Sequence, residues 1–171
     1  MTANTAGGPG NLRCDKQRNF FCRGEWVGII NSDDFYTQDA VRLVVEASRT
    51  DKEAQLFYGN QKLLKSRESK DLQDCRECRG RAAEYMPYHP TCFVSREIYA
   101  DLKFNINFRY AADWSFMLTL YLNNVKFGYI NEPLACFRPG GFSSSLAARN
   151  EIYRIKAFYK MLSLPLLPAP T

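Results

Sequence analysis

Two adjacent carboxylates, Asp33 and Asp34, follow the apolar run Trp26–Ile30 with only Asn31 and Ser32 between. Side-by-side negative charges repel unless a cation or a dense set of donors compensates them. A hard divalent cation does so, and manganese or magnesium characteristically bridges one or two carboxylates to a substrate's phosphates. A plainer reading makes one Asp a helix cap and the other a turn residue. Asp113, in Tyr110-Ala111-Ala112-Asp113-Trp114, stands where a helix should begin. It is either an N-cap, worth about 1 kcal/mol, or a general base. His89 is the chain's single histidine. Pro87 and Pro90 flank it, which suits either a structural residue or a rigidly positioned one. Gly140-Gly141-Phe142-Ser143 is either a turn or a loop whose amides and hydroxyls meet a phosphate.

These groups need elements to position them. Trp26–Ile30 reads as a strand buried on both faces of a parallel sheet. Ligands of open α/β sheets bind beyond the carboxyl ends of strands, which is where Asp33 and Asp34 fall. Thr37 reads as an N-cap, and Ala40, Leu43, Val44 and Ala47 predict a helix over 38–49. Gln55–Tyr58 is a short strand, Gly59-Asn60 a turn and Lys62–Lys65 a returning strand. Residues 66–81 are dense in charge and read as a solvated loop. Tyr88–Val94 is extended, and Ser95 caps a helix over 96–102. From Asp113 a further helix places Trp114, Met117, Leu118 and Tyr121 on one face, as a core stripe. Residues 125–130 and 134–137 predict two strands, and 151–161 a last helix. The alternation points to an α/β fold. Residues 1–12 read as loop. The division expected is a poorly structured segment over 1–23, one domain over 24–162 and a proline-rich tail over 163–171.

Composition narrows the function classes. A chain of 171 residues is the length of one domain and can bury a core without staples. A net charge of +5 favours anionic partners. The cations are dispersed rather than in blocks, which argues against nucleic acid. No apolar leader and no membrane-length apolar stretch is present, so the chain reads as cytoplasmic with reduced thiols. Cys75 and Cys78 form a lone C-x-x-C; with one histidine and no second pair, the spacing argues against zinc.

Taken together, an ordered set of segments resembles the family 2 glycosyltransferases, closest to bacterial members that build surface polysaccharides. The segments are Gly24–Tyr36 with its acidic pair, His89–Val94, Ala112-Asp113-Trp114, Asn131-Glu132-Pro133-Leu134 and Gly140-Gly141-Phe142-Ser143. The resemblance covers residues 24–160. It implies a Rossmann-like, A-type nucleotide-diphospho-sugar transferase fold, a nucleotide-sugar donor, a divalent metal (manganese or magnesium) and inversion at the anomeric carbon. By position it makes Asp34 the metal ligand, Asp33 and Asn31 donor contacts, and Asp113 the base for the acceptor hydroxyl. His89, Trp114, Gly140, Gly141 and Ser143 become contacts to acceptor or phosphate. The acceptor implied is a saccharide or a lipid-linked sugar, which admits peripheral association with the inner membrane face. The family precedes its acidic motif with strands that read the nucleotide base, whereas 23 residues precede Gly24 here. The resemblance therefore implies an N-terminally truncated fold. It carries as its alternative a non-catalytic remnant acting as a binding module, and it admits a homodimer.

Overall fold

The apolar run before the acidic pair forms β2 (Trp26–Asn31), with Val27, Gly28, Ile29 and Ile30 buried. The computed structural model describes residues 4–6, 22–64, 70–73, 86–105, 107–138 and 145–159. In chain order the other strands are β1 (Asn4–Ala6), β3 (Phe35–Tyr36), β4 (Leu56–Leu64), β5 (Lys70–Gln73), β6 (Phe93–Ser95) and β7 (Phe127–Phe137). The helices are α1 (Ala40–Thr50), α2 (Arg96–Asp101), α3 (Ala112–Leu122) and α4 (Leu146–Phe158), and His89–Thr91 form a 3-10 turn. One seven-stranded sheet runs β1-β2-β6-β4-β7-β3, with β5 paired to β4.

The sheet is mixed rather than all-parallel. β1 lies parallel to β2, β6 antiparallel to both β2 and β4, and β4 parallel to β7. Burial on both faces produces a continuous apolar run whichever way the neighbours point, so the run in β2 carries no information on ladder direction. The strand directions still place the carboxyl ends of β2, β4 and β7 at one edge.

Alternation along the strands divides two cores between the faces. Leu56 and Tyr58 of β4 and Val94 of β6 pack with Phe116, Leu118 and Leu120 of α3 and Ile155 of α4. Phe57 and Phe93 point the other way and meet Val44 of α1 and Leu134 of β7. Phe104 and Tyr99 stack on Phe116, with ring centroids 4.3 and 5.3 Å away, and tie α2 and the segment after it to α3. This is an α/β fold with helices on both faces of the sheet.

Several sequence expectations differ locally. Asn4–Ala6 is strand, not loop, because the free edge of β2 supplies its hydrogen-bond partners. Gly59-Asn60 is no turn. β4 continues through it, and its register against β7 shifts on either side of Asn60, whose partner is Pro133. Proline donates no hydrogen bond, so the ladder bulges there instead of ending. For the same reason 125–130 and 134–137 are not two strands but one β7. Within 66–81, Lys70–Gln73 pairs with β4. Thr37 does not cap α1. Its backbone N–H donates to the Leu134 carbonyl at 2.9 Å, its hydroxyl donates to the Pro133 carbonyl at 2.7 Å, and Asp39 flanks the helix. Tyr121 is 43% exposed and leaves the expected stripe, while Met117 and Leu118 are buried. α4 starts at Leu146 because Ser145 caps it, its hydroxyl accepting from Ala148 N–H at 3.2 Å.

The bulge makes a testable demand on Gly59. A Cβ there would lie 2.6 Å from the Glu132 carbonyl oxygen and 2.7 Å from Leu134 Cγ. A backbone oxygen inside a strand cannot retreat as a side-chain tip can. Gly59→Ala should cost about 1–3 kcal/mol. Urea unfolding should show a lower midpoint with an unchanged slope.

Candidate functional site

Asp34 lies where β2 ends. The turn Asn31–Asp34 closes by Asp34 N–H donating to the Asn31 carbonyl at 3.2 Å. The next two residues form β3 and pair with Ala135 and Cys136 of β7. The reversal buries Asp34 to 6% exposure. Its Oδ1 accepts from the Arg138 N–H at 3.0 Å, and its Oδ2 from the Asn31 side-chain amide at 3.1 Å. Burial pushes the Asp34 carboxyl above its ordinary pKa. The Arg138 and Asn31 donors oppose that rise, the neighbouring Asp33 charge adds to it, and His89 opposes it. Asp33 is exposed.

His89 is carried by the 3-10 turn His89–Thr91. The turn that carries it is braced by Thr91 N–H and hydroxyl, both donating to the Tyr88 carbonyl, and by Cys92 N–H donating to the His89 carbonyl. Pro90 at the start of the turn fixes its backbone further. The His89 side chain is 14% exposed, and its Nδ1 is 4.0 Å from Asp113 Oδ2. Asp113 sits in the first turn of α3, one residue past the helix start, and Ala111 flanks that helix. Asp113 is therefore not the N-cap. Its Oδ1 accepts from Trp114 N–H at 2.7 Å, and Oδ2 is left facing His89. Trp114 is half-buried against the core, with Lys156 Nζ 5.9 Å from its ring centroid.

His89 thus stands 4.0 Å from Asp113, 24 residues away in the chain, and within electrostatic reach of Asp34, 55 residues away. Asn31 joins them as the donor that holds Asp34. Gly140, Gly141 and Ser143 lie outside the described residues, as do Cys75 and Cys78.

Sequence reasoning missed Glu151. Its Oε1 accepts from Arg109 N–H at 2.9 Å, and its Oε2 accepts from Tyr110 and Ala111 N–H at 2.6 and 2.9 Å. These amides lead into α3. Donors 40–42 residues away leave no local signal in the chain. Burial alone would push the Glu151 carboxyl up. The three backbone donors, with Arg154 adding, outweigh burial and hold it below its ordinary value.

Each oxygen of Asp34 carries one protein donor and keeps a lone pair, and burial leaves its charge under-compensated. Among the described residues no group of three or more His, Cys, Asp or Glu could hold a metal ion. The described residues therefore do not form an all-protein metal cage; Asp34 is the buried carboxylate that could serve as one ligand.

Solved structures share this fold. S. aureus TarS 1–349 in complex with UDP-GlcNAc superposes with a TM-score of 0.67 at 15% identity, covering 98% of this chain and 50% of that one. TarS 1–349 in complex with UDP superposes with a TM-score of 0.65 at 17% identity, covering 92% and 47%. The chain spans about half the length of these structures. The likeness identifies a Rossmann-like, GT-A-type fold. No protein-family model matches the chain, and no curated protein matches its sequence.

The Glu151 contacts have a pH signature. A carboxyl whose pKa is lowered on folding stabilises the native state above its ordinary value of 4.5, and the contribution is lost as pH falls through the lowered value. In thermal melts, the stability lost on Glu151→Gln should be largest at pH 7 and should shrink steadily below pH 4.5.

Proposed function

We propose that the chain works in sugar transfer, as a family 2 glycosyltransferase of the inverting, metal-dependent kind. It would move a sugar from a nucleotide-sugar donor to a saccharide or lipid-linked acceptor. What supports this reading is the His89–Asp113 pair, 4.0 Å apart, together with Asp34 buried just past the carboxyl end of β2, in a GT-A-type fold.

Each residue then has a chemical task. Asp113 has one oxygen tied to Trp114 N–H and the other, Oδ2, free to accept a proton. As general base it takes the proton of the acceptor hydroxyl. That oxygen attacks the anomeric carbon on the face opposite the leaving group. The bond from carbon to diphosphate oxygen breaks, its electron pair leaves with the nucleoside diphosphate, and the configuration inverts. His89 beside Oδ2 contacts the acceptor or a phosphate, with Trp114, Gly140, Gly141 and Ser143 as further contacts. Asp33 and Asn31 meet the donor. Asp34 would hold the divalent metal, manganese or magnesium, which when bound supplies positive charge for the departing diphosphate. A lipid-linked acceptor would bring the chain to the cytoplasmic face of a membrane. Among the described residues no helix is long and apolar enough to cross one.

Titration calorimetry with UDP separates this reading from a non-catalytic binding module. Binding should require manganese, vanish with chelator and vanish in Asp34→Ala. A folded chain that binds neither UDP nor other nucleoside diphosphates overturns the transferase reading. Asp113→Asn should leave UDP binding intact and lower transfer by about 10²–10⁴-fold, measured as acceptor-dependent UDP release.

A further inference from the structure

We propose that Glu151 is a positioning residue for Asp113, setting where the proposed base stands rather than only helping the fold to form. This rests on the transferase reading above. The chain enters α3 through Arg109, Tyr110 and Ala111, and Asp113 follows two residues later. The backbone donors at a helix start have no partners within the helix. α3 has no side-chain cap of its own, and its flanking residue, Ala111, has no side chain able to accept. The Glu151 carboxylate, from a different helix, instead holds the three amides that lead into α3, with both oxygens engaged.

Its own mount is rigid. Ala148 and Ile155 are 2% and 0% exposed. They lie three residues before and four after Glu151, on the same side of α4. Ser145 fixes the start of that helix. On the other side of the site, His89 is fixed by its own braced turn. The separation of Asp113 Oδ2 from His89 Nδ1, 4.0 Å, is therefore set by where the first turn of α3 lies.

The body of α3 does not need Glu151 to stay in place. Phe116, Met117, Leu118 and Leu120 are buried and hold the helix against the sheet. What Glu151 adds is the position of the entry turn. Loss of it lets that turn relax while the core stays packed, which moves the base relative to the substrate. A misplacement on the order of 1 Å costs about 10²-fold in rate. An ionised carboxylate only accepts hydrogen bonds, whereas an amide has one accepting oxygen and turns an NH₂ towards the donors. Glu151→Gln is thus the smallest change that breaks the arrangement.

The experiment compares wild type with Glu151→Gln by UDP binding, by UDP release from a panel of UDP-sugars beginning with UDP-GlcNAc, and by amide hydrogen exchange at Arg109, Tyr110 and Ala111. The expected result is a kcat about tenfold to a hundredfold lower, with KM and the UDP dissociation constant within about twofold and faster exchange at the three amides. An unchanged kcat overturns the positioning role. So does a loss of kcat that comes with an equal loss of UDP binding, since that marks a general structural role. Should Glu151→Gln fail to fold, Glu151→Asp, which keeps the charge but falls short of the amides, is judged by the same split. A wild-type chain that neither binds UDP nor releases it from any donor overturns the transferase reading and takes this proposal with it. A wild type that turns over while both variants match it overturns the positioning alone.

Discussion

A carboxylate buried where its charge is only partly compensated is the constraint around which this structure is arranged. Asp34 is at 6% exposure and receives one backbone and one amide donor. Both donors come from strand ends, Asn31 closing β2 and Arg138 following β7. The hydrogen bonds therefore hold those two ends together and fix where the chain reverses into β3. Thr37 repeats the theme three residues later by donating twice to carbonyls of β7. A buried carboxylate stays ionised only as far as donors or positive groups offset its desolvation, since each pKa unit corresponds to about 1.4 kcal/mol. Asn31 and Arg138 N–H supply donors to it, and His89 lies near enough to act in the same direction.

The parts of this arrangement legible in the sequence are those encoded locally. The apolar run of β2 ending on Asp33 and Asp34, the helix spacing from Ala40 and the prolines around His89 are visible because each involves neighbours in the chain. Segment order was enough to bring Asp34, His89 and Asp113 under one resemblance. Contacts across the chain stayed hidden. Thr37 has the residue type of an N-cap, and local chemistry gives no reason to prefer the carbonyls of Pro133 and Leu134, 96 and 97 residues away. Gly59-Asn60 has turn composition, yet burial on both sides and a parallel partner outweigh it. Glu151 looks like any glutamate in a helix until three distant amides are found on it.

Fold and chemistry also differ in how they are encoded. The GT-A-type architecture is shared with TarS at 15–17% identity, so its sheet and two-sided core tolerate almost complete replacement of side chains. Volume and pattern suffice for a core. The candidate site is encoded differently, in particular atoms presented by a strand end, a 3-10 turn and the first turn of a helix. Each of these is held by contacts that contribute little to the cores: the Asn31 amide, the Tyr88 carbonyl and the Glu151 carboxylate.

Two energetic costs of the structure fall on the short stretch that enters β3. Two residues after Asp34, the Tyr36 hydroxyl is buried without a hydrogen-bond partner among the described residues. Burial, with the Cys92 thiol adding, pushes its pKa up and keeps it neutral. Its ring lies on Phe93 with centroids 5.0 Å apart, and the hydroxyl occupies the space that a Cβ on Gly28 would need. An orphaned buried hydroxyl and a desolvated carboxylate two residues apart are each unfavourable alone. They persist because Val44, Phe57, Phe93 and Leu134 bury apolar surface on the same face, and because β3 must stay on β7 for Asp34 to meet Arg138. Stability gained in the core is what lets this stretch hold a charge in a place that stability alone would leave apolar.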